Sequence, residues 1–297
     1  MSAGDPLGLP AAWPAPGKLN LCLHIVGRRA DGYHLLQSAF QFIDLADEIR
    51  FWRRPAGVIE RVGDVPGVLP EDDLTIRAAR RLAEGRPDGH GVAIEVRKKL
   101  PMQGGVGGGS SDAATVLVAL NELWGLGIDP DELAGLGLAL GADVPVFVRQ
   151  QSAWAEGVGE VLTATEFPEA TFLLIRPDAA VATAEIFKAP ELTRDSPVIT
   201  IRGFLQNGGR NDCEPAVRRR YPAVAEALDW AAQFGAARLT GTGSCVFVAM
   251  ADAGSAQRAL DRLPSRWRGW VVRGLNRSPL ATRLALERAH RDAGRGG

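Results

Sequence analysis

At 297 residues, with 46% apolar and 23% charged residues and a net charge of −1, the chain has the make-up of a soluble globular protein of one large or two ordinary domains. That balance excludes the basic field that draws nucleic acid or anionic lipid, so any anion must be held locally, by backbone amides and a few placed cations. Three scattered cysteines and four scattered histidines fit neither a disulfide framework nor a metal site.

The opening stretch "MSAGDPLGLPAAWP" has neither the basic start nor the sustained apolar run of a secretory signal. No apolar run approaches the roughly 18 residues needed to cross a bilayer, so a cytoplasmic protein is expected. The first dozen residues are expected to be loosely held, with Trp13 able to dock on the body. "KLNLCLHIV" at 18–26 alternates strictly, which predicts a half-buried strand with Leu19, Leu21, Leu23 and Ile25 on one face. Lys18 and Asn20 then share the other face, about 6–7 Å apart along the strand. A turn centred on Asp31-Gly32 leads into a segment carrying Tyr33 and His34.

"EDDLTIRAARRLAE" (71–84) carries Leu74, Ala78 and Leu82 at helical spacing, and "VAIEVRKKL" (92–100) alternates as a strand. That strand runs directly into "PMQGGVGGGSSDAAT", in which five of fifteen residues are glycine. A helix over 110–125 follows, opened by serine and aspartate and closed by Gly125, and then a second helix after Asp129. "ADVPVFV" reads as extended chain. Beyond about residue 165 strands are predicted at 171–177, 245–250 and 269–274, with helices in "AVAEALDWAAQF" and "SAQRALDRL". Mixed strands and helices without a βαβ rhythm point to an α+β protein in two lobes.

The glycine run between strand and helix is the most informative feature. Amides freed of side chains, at the positive end of a helix dipole, bind phosphate. Ser110 and Ser111 add hydroxyls at the mouth of the helix, able to cap it or to touch a phosphate or its magnesium. A mobile surface loop is the alternative. The P-loop design fails because Ser110 stands where its lysine belongs, and the dinucleotide fingerprint fails at the same residue. A cation for a transferred phosphoryl group must therefore come from elsewhere. Lys18 is one candidate, and otherwise a solvated surface lysine. Asp143, set among Leu140, Ala142, Val144 and Val146, is a carboxylate that needs a partner if buried, and otherwise a turn aspartate.

Four separated motifs then coincide with a known family. "PAPGKLNLCLHIVGRRADGYHLLQS", "PMQGGVGGGSSDAATVLVALN", "LGADVPVFV" and "LTGTGSCVFV" occur in the order found in the small-molecule kinases of the galactokinase, homoserine, mevalonate and phosphomevalonate (GHMP) group. The chain resembles that group from about residue 14 to about residue 280, with "EGVGE", "IFKAPEL" and "NDCEP" between the motifs. Among its members it looks like those that act on a cytidyl diphosphate sugar alcohol, on the non-mevalonate route to isoprenoid precursors. The resemblance implies the two-lobed GHMP-kinase fold: an ATP-binding lobe over residues 1–162, an α/β-sandwich lobe over 163–297, and an active site in the cleft between.

By position, the resemblance implies that Pro101, Met102, Gln103, Gly104, Gly105, Val106, Gly107, Gly108, Gly109, Ser110 and Ser111 wrap the ATP phosphates. It makes Lys18 and Asp143 the catalytic pair. Asn20 and Thr183 would touch the sugar-alcohol and diphosphate portion, Tyr33 and Phe187 sandwich the cytosine, and His34 bond its edge. Leu74, Lys98 and Met102 would line the adenine pocket, and Gly241 to Ser244 would pack a second glycine loop against the site. Asp73 stands where an asparagine contacts adenine in relatives, and Gln103 where another glycine often stands. ATP with Mg2+ is expected, the ion's protein ligands being open, and so is the oligomeric state. Two other readings compete: a homoserine or mevalonate type of kinase, and a silent nucleotide-binding protein. The "DGYH" and "IFK" segments, useless for a small aliphatic alcohol, argue against the first, and retention of both Lys18 and Asp143 argues against the second.

Overall fold

The computed structural model describes residues 10–65, 67–84 and 90–295. The loose hold expected of the first dozen residues falls largely on residues 1–9, outside that range, but Trp13 is docked and buried, with Arg283 over its ring at 4.4 Å.

Strands β1 (Trp13–Arg28) and β2 (His34–Arg54) form a long antiparallel hairpin. They are followed by β3 (Ile59–Val62), α1 (Leu74–Ala83), β4 (Gly91–Arg97), α2 (Gly108–Leu123), α3 (Pro130–Leu138), α4 (Val144–Arg149), β5 (Ala153–Glu156) and β6 (Val161–Ala164). The second half contains β7 (Thr171–Arg176), α5 (Thr183–Lys188), α6 (Ile201–Asn207), α7 (Glu214–Arg220) and α8 (Pro222–Ala231). It continues through β8 (Arg238–Leu239), β9 (Val246–Met250), α9 (Ala253–Leu260), β10 (Arg268–Leu275) and α10 (Pro279–Arg295).

The strands run in the order β3-β4-β2-β10-β7-β9-β8, with β1 and β5 also on β2. The lobes join where Gly274 and Leu275 at the end of β10 pair with Ile43 and Phe42 in the middle of β2. One core, around Trp13, Phe42, Leu117 and Phe147, lies between the first sheet and α1, α2 and α4. A second, around Ile175, Val217 and Leu228, fills the other lobe, and a third at the junction packs Leu19, Ile43, Trp154 and Phe172. Burying each of these large side chains stabilises the fold by roughly 1.5–3 kcal/mol. The last helix returns to the first lobe: Leu280 enters its core, and Arg288 and Arg291 both pair with the buried Glu122 on α2.

Three expectations are corrected. The strand at 18–26 is buried on both faces, because second-lobe segments cover it: Leu23 donates its N–H to Arg210, and Asp212 and Ser196 donate theirs to Leu23 and Ile25. Its polar alternation marks a face turned to an enclosed site, not to solvent. "ADVPVFV" is not extended; Pro145, at a first-turn position where its missing N–H costs nothing, starts helix α4. The helix after the glycine loop is not opened by serine and aspartate. It begins at Gly108 with Gly107 as its N-cap, in the left-handed conformation and without a capping side chain.

Candidate active site

The glycine loop connects β4 to α2 and is clamped by the loop between β8 and β9. Ser244 and Cys245 donate their N–H groups to Gln103 and Gly104, and the Thr240 hydroxyl donates to the Gly105 carbonyl at 3.2 Å. Gly105 and Gly107 both have φ of 73°. A Cβ on Gly105 would sit 2.2 Å from the Thr240 carbonyl oxygen, and one on Gly107 2.8 Å from the Phe147 ring. Glycine is therefore required twice over, by conformation and by space. Gln103 also has a positive φ, 54°, the conformation that a glycine at this position adopts without strain.

A cavity of about 380 Å³ lies over this loop and the start of α2. Leu74, Lys98, Pro101, Met102, Gln103 and the chain from Gly104 through Ser110 line it, so the structure brings together nearly all the residues expected around ATP. Ser111 stands apart: it is fully buried and its hydroxyl has no hydrogen-bond partner. The Lys98 ammonium is held by Asp47 and, at 2.7 Å, by Asp112. Burial opposes the Lys98 charge, but the two carboxylates outweigh it and raise its pKa. Burial lifts Asp112 to about 7; Lys98 opposes that rise and Asp47 adds to it. The cluster thus holds one ammonium between two carboxyl groups, and burial makes Asp112 the one that takes up a proton more readily than a free aspartate. Asp73 caps α1 by accepting from Thr75 N at 2.9 Å, and its second oxygen takes Arg61 at 3.3 Å.

Lys18 and Asp143 meet, their charged atoms 3.2 Å apart. Lys18 is 3% exposed; its ammonium also donates to Asn20 Oδ1 and lies 5.0 Å over the Phe40 ring. Asn20 is fixed in turn, its amide nitrogen on Ser38 Oγ at 2.8 Å and its backbone N–H on Thr240 Oγ1 at 3.0 Å. Asp143 occupies the cap position of α4 but makes no capping bond, so its carboxylate is free to serve Lys18 and the open cleft.

A second cavity encloses about 680 Å³. Tyr33, His34, Thr183 and Phe187 line it, together with Ala142, the neighbour of Asp143. Phe187 stacks on His34, ring centres 5.1 Å apart, while Tyr33 stands 65% exposed at the rim. His34 Nε2 accepts from Arg194 at 3.2 Å. Thr183 Oγ1 is 2.9 Å from Thr242 Oγ1, and a smaller cavity lined by Gln103, Gly105, Thr183 and Thr242 connects the surroundings of the glycine loop with those of Thr183. Sequence reasoning missed Asp47, Asp112, Ser38 and Arg194. Asp47 reaches Lys98 only because Glu48 pairs with Arg97 across β2 and β4, a long-range register with no local signal.

Residues 73–151 match the family described as GHMP kinases N terminal domain, and residues 199–269 match GHMP kinases C terminal. A 4-diphosphocytidyl-2-C-methyl-D-erythritol kinase of Halorhodospira halophila is 56% identical, over 93% of this chain and 96% of its own length. The protein of the same name from Pseudomonas paraeruginosa is 52% identical, over 91% of this chain and 96% of its own. A crystal structure of a 4-(cytidine 5'-diphospho)-2C-methyl-D-erythritol kinase superposes with a TM-score of 0.79 at 30% identity, over 89% of this chain and 100% of that one. A mevalonate kinase crystal structure, at 17% identity, shares the fold with a TM-score of 0.66 over 90% of this chain and 99% of its own.

Proposed function

The chain belongs to the GHMP kinases, ATP-dependent small-molecule kinases, and within them to the 4-diphosphocytidyl-2-C-methyl-D-erythritol kinases; on that footing we propose that it transfers the γ-phosphoryl group of ATP to the 2-hydroxyl of 4-diphosphocytidyl-2-C-methyl-D-erythritol, on the non-mevalonate route to isoprenoid precursors. The observation that supports this best is where the Lys18–Asp143 pair lies. Lys18 rests against Gly107 of the glycine loop, and Asp143 follows Ala142 on the wall of the second cavity. ATP belongs in the first cavity and the acceptor alcohol in the second, with the pair at their junction.

In this reading the acceptor hydroxyl docks between Asp143 and Lys18 and attacks the γ-phosphorus in line. An oxygen–phosphorus bond forms as the bond to the bridging oxygen breaks, ADP leaves, and the proton passes to Asp143. A carboxylate is a weak base toward an alcohol, so the proton moves late and Asp143 acts first by orienting the nucleophile. Lys18, 3.2 Å from that carboxylate, offsets charge on the transferring group. The loop amides and the α2 dipole hold the remaining phosphates. Tyr33, Phe187 and His34 receive the cytosine, while Asn20 and Thr183 receive the sugar alcohol and diphosphate.

Mg2+ belongs to the same proposal and would supply charge neutralisation for the ATP phosphates. Among the described residues no group of three or more histidine, cysteine or carboxylate side chains is placed to hold a metal. Of the two serines at the start of α2, the Ser110 hydroxyl lines the cavity and would be the one to meet a phosphate-borne ion. Residues 1–162 act as the ATP-binding lobe and residues 163–297 as the lobe across the cleft, α10 excepted. No helix among the described residues is long and apolar enough to cross a membrane, and the cytoplasm is the location we assign. ADP release in the presence of the cytidyl acceptor, homoserine and mevalonate, each assayed alone, tests the proposal. Turnover with the cytidyl compound is expected; turnover with homoserine or mevalonate alone overturns it.

A further inference from the structure

The second cavity contains a device that the catalytic pair does not use. Arg194 sends its whole guanidinium into a fixed frame: Nη1 donates to the Leu192 carbonyl at 3.0 Å, and Nη2 to the Phe187 and Ala189 carbonyls at 3.0 and 2.7 Å. The Nε donor points at His34 Nε2, 3.2 Å away. A guanidinium only donates and does not lose its proton. The nitrogen it faces must therefore accept, which leaves the imidazole neutral with its one hydrogen on Nδ1. The same arginine anchors the carbonyl of Phe187, whose ring stacks on His34. One side chain thus sets both the tautomer and the wall of the cavity.

We propose that Arg194 is a positioning residue that holds His34 as the neutral Nδ1–H tautomer, so that the base of the acceptor meets a donor and cytosine is preferred over uracil. This rests on the acceptor reading above. The N3 atom of cytosine accepts a hydrogen bond, whereas N3 of uracil carries a hydrogen and opposes a second donor. A site built to pair one edge rejects the other strongly. Other charged groups on the elements lining the cavity are Arg28 at the end of β1, Arg29 and Asp31 in the turn, Asp143 ahead of α4, Glu160 beside Val158, and Glu185 and Lys188 on α5. Burial, followed by the Arg194 and Arg28 cations, lowers the His34 pKa, which agrees with a neutral ring.

The test compares the wild-type enzyme with Arg194→Gln, varying pH and offering the cytidyl acceptor and its uridyl analogue. In the wild type, KM for the cytidyl acceptor should change less between about pH 8 and about pH 5.5 than in the variant, because burial and the Arg194 and Arg28 cations oppose protonation of His34. In Arg194→Gln one of the two cations that oppose His34 protonation is lost while burial and Arg28 remain, so the ring takes its proton at a higher pH than in the wild type and KM rises more steeply as pH falls across that interval. Discrimination against the uridyl analogue falls about tenfold, with little change in kcat or in KM for ATP. In His34→Asn/Arg194→Gln the pH dependence disappears. Unchanged KM, pH profile and discrimination in Arg194→Gln overturn the proposal, as does a rise in KM with no change in either of the other two. Should that variant not fold, the ¹⁵N imidazole spectrum of the wild type, with His34 assigned from His34→Asn, decides: an Nδ1–H pattern supports the proposal and an Nε2–H pattern sinks it. Failure of the acceptor reading itself looks different, because the wild type then turns over no cytidyl substrate at all.

Discussion

Gly107 and Lys18 are in close contact: a Cβ on Gly107 would lie 3.2 Å from Lys18 Cε, tighter than an ordinary contact, and 2.8 Å from the Phe147 ring. The glycine that turns the loop into α2 is therefore also the floor on which the buried lysine rests. Gly107→Ala should displace Lys18 while straining a backbone held at φ 73°. A shift on the order of 1 Å at a reacting group lowers turnover by about a hundredfold. Steady-state kinetics should show that loss in kcat, with circular dichroism retaining the native helix content.

Thr240 ties three segments together, accepting from Asn20 N at 3.0 Å and donating to the Gly105 carbonyl at 3.2 Å. Thr240→Val keeps the shape and removes both bonds inside a buried site, leaving the Asn20 N–H without that partner. Stability should fall by about 1–3 kcal/mol, read from denaturant midpoints. KM for ATP should rise as well, because the loop loses its clamp.

The Lys98 cluster predicts a pH dependence of stability. Asp112 has a folded pKa of about 7, well above the roughly 3.9 of an unfolded aspartate. Between those values the folded protein binds more protons than the unfolded chain, so the contribution of this group is full below about pH 4 and is lost as pH rises through about 7. Asp112→Asn removes that titration. The difference in thermal midpoint between wild type and Asp112→Asn should therefore move steadily in favour of the variant from about pH 4 to about pH 7. A constant difference over that range would contradict the assignment.

Much of this site could be read before the structure, and the reasons lie in how local each feature is. The glycine loop leading into a helix was visible because glycine spacing and the following helix are neighbours in sequence. Lys18 and Asn20 were placed together because a strand has period two, and Lys18 does reach Asn20 Oδ1. What failed was local detail overridden by packing. The strand carrying Lys18 looked half-exposed because its polar residues face a cleft roofed by residues 196–212, far away in sequence. Helix α4 was hidden by the β-branched run "VPVFV", which local propensity reads as strand, although Val144, Val146 and Phe147 are buried in the first core. Asp47 and Arg194 act only through long-range register and loop placement, so no spacing announced them.

The central claim is that Lys18 and Asp143 form the centre of phosphoryl transfer, and kinetics of Lys18→Ala and Asp143→Asn with saturating ATP and cytidyl acceptor test it most directly. Both should lower kcat by about 10²–10⁴-fold while KM for ATP changes little, since the glycine loop remains in place. Near-normal turnover in both variants would contradict the account and remove the pair from the mechanism.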